Sequence, residues 1–278
     1  MRLVIRHRTA YAFDAPIRFV TQSHRLTPAP SESQRPLEWS VAVEGAAFGA
    51  SFVDGAGDRV TTMTLAGPVE AMEVLVEGIV ETADTAGLLR GHRETIAPRV
   101  YLTPTPAIRS NAELVALARD AAAGAAEGDA LDRAHRLAAA VAEAIAYRPG
   151  VTHAHTTAAE ALAQGEGVCQ DHAHALIALA QSLDMPARYV TGYLLNRDDG
   201  APEEANHAWA EVHVAGLGWV GFDPANRCCP DERYVRLGSG RDAAEAAPIR
   251  GVSRGAAEEA MEVAVSVARE QSRTQTQQ

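Results

Sequence analysis

Cys169 sits in Gly167-Val168-Cys169-Gln170-Asp171, and is followed by His207-Ala208-Trp209 and then Asp223-Pro224. These stretches supply a thiol, an imidazole and a carboxylate, in that order. A cysteine nucleophile uses those three groups. The thiolate attacks an acyl carbon, the imidazole takes and returns the proton, and the carboxylate fixes the imidazole tautomer. A lone cysteine is more often a small buried hydrophobe. Gly-x-Cys at the start of a helix, with His and Asp on one hairpin downstream, favours the nucleophile. The adjacent pair Cys228-Cys229 has no evident base beside it and reads as inert.

The elements around these residues are expected to bring them together. From 169 to 183 the pattern is helical, with Ala173, Leu176, Ala180 and Leu183 as an apolar stripe. A thiol at the first turn of such a helix faces unpaired N–H groups and the positive end of the helix dipole, which favour thiolate. Gly165 and Gly167 allow a sharp turn before it and room for substrate. Strand candidates follow at 187–195, 207–214 and 218–222, the last two joined by Ala215-Gly216-Leu217-Gly218. This hairpin places His207 and Asp223 at its open end on neighbouring strands, and period two puts His207, Trp209 and Glu211 on one face. The Cys169 N–H is an oxyanion donor, with Tyr147 and Gln170 as candidates for a second. Asp171 reads first as a helix-start anion. One of His172 and His174 is expected behind the thiol, with His174 carried as the candidate. Trp209 and Trp219 read as packing beside the site, and Glu211 as a polar strand residue.

Ten histidines invite a metal reading. However, His172 and His174 would point to nearly opposite sides of a helix. Neither His-Glu-x-x-His nor Cys-x-x-Cys occurs, so no metal and no cofactor are expected. A net charge of −11 with no Lys/Arg block argues against nucleic-acid binding. No 18-residue apolar run suggests a membrane span. Met1-Arg2-Leu3-Val4-Ile5-Arg6 does not read as a signal peptide. Three cysteines make no disulfide framework, which points to a reducing, cytoplasmic setting.

The fold class expected is α+β. Residues 1–105 read as a β-rich unit, an antiparallel sandwich with strands at 2–13, 18–26, 37–43, 59–65 and 72–81. Residues 106–268 form the second unit. Capping-box patterns at Ser110–Glu113 and Thr157–Glu160, and Asp129 before Leu131, Ala134, Leu137, Val141 and Ile145, mark helix starts. Pro149-Gly150 is expected to end the second helix. Further strand-like pieces lie between 232 and 268, including 260–267. Residues 269–278 read as a disordered polar tail.

Four stretches together carry a family resemblance: 167–174, Met185-Pro186-Ala187-Arg188-Tyr189-Val190-Thr191-Gly192-Tyr193, 207–212 and 218–224. They resemble the bacterial transglutaminase-like family, of the transglutaminase-like superfamily with its papain-type core. Arg6–Tyr11 and His24–Pro28 resemble its β-rich N-terminal region, and Gly240-Arg241-Asp242 with Pro248–Val252 a trailing motif. The chain departs from the family in having Ala243 for an aromatic residue and Ala225 for the Thr after Asp-Pro. The resemblance implies a helix bearing Cys169 packed on an antiparallel sheet, with Cys169 as nucleophile, His207 as base and Asp223 as orienting carboxylate. It implies cysteine peptidase or amidase activity on a peptide or protein substrate. Amine acyltransfer through the same thioester is the alternative, and a non-catalytic peptide-binding protein is the rival. Hydrolysis is favoured because no amine site is marked, although Asp198, Asp199, Glu203 and Glu204 would attract a cationic amine.

Overall fold

A computed structural model describes residues 1–126, 128–195, 206–255 and 257–270. The N-terminal region is built on two very long antiparallel strands, β1 (Arg2–Thr27) and β4 (Arg59–Thr82). Sequence breaks at Asp14-Ala15-Pro16 and Gly67-Pro68 suggest strand ends. Both strands instead run through them, with register irregularities between Ala12 and Phe19. An irregularity of this kind bends a strand without ending it, so four expected strands are two. One half of the sheet adds β2 (Gln34–Val43), and the other adds β3 (Ala47–Val53), an exposed strand that small residues and Gly49 conceal in the sequence. Tyr11, Val43, Met72, Val74 and Val76 from the first half pack with Val20, Leu26, Met63 and Leu65 from the second. The expected sandwich is thus one sheet folded over on itself.

Three helices follow. Asn111, not Ser110, caps α1 (Ala112–Ala122) by accepting from the Leu114 N–H; the Ser110 hydroxyl donates to the Ala178 carbonyl instead. Asp129 caps α2 (Ala130–Ala144), which ends five residues before Pro149 because β5 (Ala146–Tyr147) leaves to pair with β6 (Glu166–Gly167). Thr157 and Glu160 form the expected capping box of α3 (Ala158–Gln164). Then comes α4 (Cys169–Gln181), buried on every side from Asp171 to Ala180 rather than along a single stripe. It lies between the other helices and an antiparallel sheet of β7 (Ala187–Leu194), β8 (Asn206–Val214), β9 (Gly218–Phe222) and β10 (Tyr234–Gly240), in the order β10-β7-β8-β9. Its many alanines let sheet and helices approach closely.

The chain then returns to its beginning. β11 (Ile249–Arg254) and β12 (Glu259–Arg269) both pair with β1, so residues grouped in sequence with the second unit complete the first unit's sheet. Arg269 pairs with Leu3, and the Glu270 N–H donates to the Arg2 carbonyl. Of the tail expected at 269–278, residues 271–278 lie outside the described residues, as do Asp198, Asp199, Glu203 and Glu204.

The two sheets meet through Leu3, Ile5, Val80, Tyr193, Val235 and Leu237. Beside this apolar seam lies a buried ionic network. Glu211 accepts from Arg188 (2.6 Å) and Arg236 (3.0 Å), Arg236 also reaches Asp58 (2.6 Å), and Arg188 reaches Glu94. Glu211 is therefore much more than a polar strand residue. Burial pushes its carboxyl up, but Arg236 and Arg188 prevail and hold it at about 2. Glu211→Gln keeps the shape yet leaves two buried guanidinium groups undercompensated. It is expected to lose about 3–5 kcal/mol of stability in urea unfolding. A loss under 1 kcal/mol would show that the network does not hold the sheets together.

No helix among the described residues is long and apolar enough to cross a membrane.

Candidate active site

Cys169 occupies the first turn of α4, with Val168 as the preceding extended residue. Val168 has no side-chain acceptor, so the turn is held from the other direction. The Asp171 carboxylate accepts the Val168 N–H (2.8 Å) and the Thr152 hydroxyl (2.6 Å). Asp171 is buried and serves the helix start, as its position suggests. Gly167 is required for this cap: a Cβ there would stand 2.7 Å from the Asp171 Cβ. It makes room for Asp171, whereas Gly165 supplies the turn with a positive φ of 70°. The Cys169 N–H, at the helix's first position, has no intrahelical acceptor.

The β8–β9 hairpin does what its spacing implies. Ala210 pairs with Phe222, which sets Asp223 just past the end of β9, close to His207. His207 Nε2 lies 2.6 Å from Asp223 Oδ2, and Cys169 is close enough to His207 to act on its charge. With Nε2 engaged, Nδ1 is the ring nitrogen left for the sulfur. Burial opposes charge on this imidazole. Hydrogen bonds and Coulomb attraction from Asp223 and Cys169 outweigh it and raise His207 from 6.5 to about 10. Burial likewise pushes the Asp223 carboxyl up, but His207 and two further donors bring it below its usual value.

Those donors are not among the residues singled out from the sequence. The Asn226 side chain (2.8 Å) and the Tyr234 hydroxyl (2.8 Å) both donate to Asp223 Oδ2, while the Asn226 N–H meets Oδ1 (3.1 Å). Asp-Pro-Ala-Asn has the form of an Asx turn, so Asn226 carries a readable signal. Tyr234 carries none; it begins β10, which pairs with β7 and not with the hairpin. Trp209 lies nearly parallel to the His207 ring at 6.4 Å and meets Tyr234 edge-on at 5.5 Å, which limits how the imidazole can turn.

The remaining candidates are dispersed. Gln170 donates to the Ala154 carbonyl at the rim of a groove. Tyr147 is exposed and lies beside the Cys169 turn through backbone pairing with Gly167. His174 Nε2 accepts from the Ala243 N–H, and its ring packs on Tyr189. Burial lowers it to about 4. His172 is the histidine under the Cys169 turn, its nitrogens 2.9 Å from the Val168 and Ile145 carbonyls. Trp219 lies under Arg188 and donates to Glu94, away from Cys169, His207 and Asp223. Cys228 and Cys229 are both pushed up by burial, Cys229 to about 11. Among the described residues no group of three or more His, Cys, Asp or Glu is arranged to hold a metal.

Comparison with known proteins gives the family and the fold. Residues 116–224 match the model of the transglutaminase-like superfamily, and residues 3–81 that of the bacterial transglutaminase-like N-terminal region. The chain belongs to the transglutaminase-like superfamily. Cys169, His207 and Asp223 all fall within the matched core. An uncharacterized protein of Mycobacterium leprae is 28% identical to this transglutaminase-like chain over 286 residues, covering 96% of it and 99% of the relative. An uncharacterized protein of Mycobacterium tuberculosis is 38% identical over 77 residues, 24% of each chain. The crystal structure of a "putative cysteine protease" from Cytophaga hutchinsonii superposes with a TM-score of 0.73 at 24% identity, covering 98% of this chain and 92% of that one. That likeness shows that the fold of both units together recurs in that protein.

Proposed function

We propose that this chain is a thiol-dependent amidohydrolase acting on peptide or isopeptide bonds. The observation that carries the reading is His207, hydrogen-bonded to Asp223 at 2.6 Å and held charged by Asp223 together with the neighbouring Cys169. The Cys169 thiolate attacks the amide carbon, and the oxyanion is met by the Cys169 N–H. The carbonyl re-forms as the C–N bond breaks, and His207 gives its proton to the leaving amine. The acyl group is then a thioester on Cys169. Water, deprotonated by His207, attacks it; the carboxylic acid leaves and the proton returns to the thiol–imidazole pair. Asp223 keeps Nε2 engaged throughout, so that Nδ1 faces the sulfur.

The test is brief exposure to iodoacetamide at pH 7, followed by peptide mapping. Cys169 is expected to alkylate about 100-fold faster than Cys228 or Cys229, whose thiols burial keeps protonated. Equal labelling of the three would overturn the reading.

A further inference from the structure

Beside Cys169 runs a groove of about 520 Å³, within the ~300–1,000 Å³ range of ligand sites. Val168, Gln170 and Asn206 line one side, with the loop 152–154. Val168 and Gln170 flank Cys169 in the chain, and Asn206 precedes His207, so the groove lies against the turn and the strand end that carry these two residues. The opposite wall comes from the N-terminal sheet: Met261, Val263 and Val265 of β12.

This wall exists because the second unit packs against β1 and the end of β12 but leaves the first part of β12 exposed. On the inward face of β1, Ile5, His7, Thr9 and Tyr11 are buried. Their cross-strand partners on β12 are Val267, Val265, Val263 and Met261. Of these, Val263 is 42% and Met261 60% exposed. Three apolar side chains at alternate positions thus overhang the groove. Among the described residues β12 pairs with β1 alone, which leaves its outer edge with unpaired N–H and C=O groups. An edge offering backbone hydrogen bonds, with alternate side chains forming a wall, suits an extended peptide.

Resting on the hydrolase reading, we propose that β12 is the acyl-donor subsite. An extended peptide lies along it, its backbone on the free edge and its apolar side chains against Met261 and Val263, which delivers a carbonyl to Cys169. The flexible thioether of Met261 fits a range of apolar side chains. The N-terminal sheet is then part of the substrate site, joined to it by the chain's return to β1.

The experiment compares two electrophiles on wild type, Val263→Asp and Met261→Ala. One is a peptidyl vinyl sulfone carrying four alanine and valine residues; the other is iodoacetamide, too small to span the groove. Both substitutions lie at exposed positions, and their unfolding curves check the fold. Val263→Asp is expected to lower the peptide probe's second-order rate at Cys169 at least about tenfold and Met261→Ala by less, both as weaker probe binding. The iodoacetamide rate is expected to stay within twofold. On wild type, the vinyl sulfone with four residues is expected to outpace one with a single residue. If peptide labelling is indifferent to both substitutions and to probe length while iodoacetamide still selects Cys169, the β12 subsite is wrong and the nucleophile stands. If iodoacetamide does not select Cys169 in wild type, the hydrolase reading itself falls.

Discussion

Cys169→Ala is expected to lower amide turnover by about 10⁶-fold, the scale seen when a nucleophile that works as part of a unit is removed. The fold is expected to survive. Alanine is a good residue for the first turn of a helix, and the Asp171 cap on the Val168 N–H does not involve the thiol. The measurement is hydrolysis of a peptide substrate recovered from a library, beside urea unfolding of both proteins. A variant folded like wild type that keeps activity within tenfold would remove Cys169 from the chemistry.

Asp223→Asn is expected to cost up to about 10⁴-fold, through loss of the imidazole's orientation and of the charge that supports it. The pH dependence gives a sharper readout. His207 is held at about 10 in the folded protein, so its proton stays on below that pH and is lost as pH rises through it. The rate of Cys169 acylation should therefore hold up to an alkaline limb near pH 10. Without the Asp223 carboxylate, burial pulls His207 down, and the limb is expected to move toward or below the ordinary 6.5. Tyr234 and Asn226 remain in place to hold an isosteric amide. A limb still near 10 in a folded Asp223→Asn variant would mean that another group sets the charge on His207.

The burial of Glu211 shows where local reading ends. From period two alone, His207, Trp209 and Glu211 share one strand face, and only burial separates their tasks. Trp209 packs on the imidazole, while Glu211 bridges Arg188 and Arg236 beneath the seam between the sheets. Nothing in their spacing distinguishes a residue that meets solvent from one that meets two guanidinium groups. The histidines of α4 make the same point. His172 and His174 are two apart, and it is the packing of helix ends that sets His172 against the Val168 and Ile145 carbonyls and His174 against Ala243.

Taken alone, the sequence determines the helix that begins at Cys169, the hairpin that joins His207 to Asp223, and the caps at Asp129 and Thr157. Each depends on residues close in the chain, whose geometry follows from helix periodicity, strand pairing across a short turn, or one side chain meeting a nearby N–H. Only the tertiary structure decides the contacts that span the chain. The return of β11 and β12 to β1, the folding of a single sheet into a sandwich, the Tyr234 hydroxyl on Asp223 and the wall of Met261 and Val263 beside Cys169 are of this kind. These depend on which apolar faces are left to be buried once the local elements have formed, and that is a property of the assembled surfaces, carried by no single stretch of sequence.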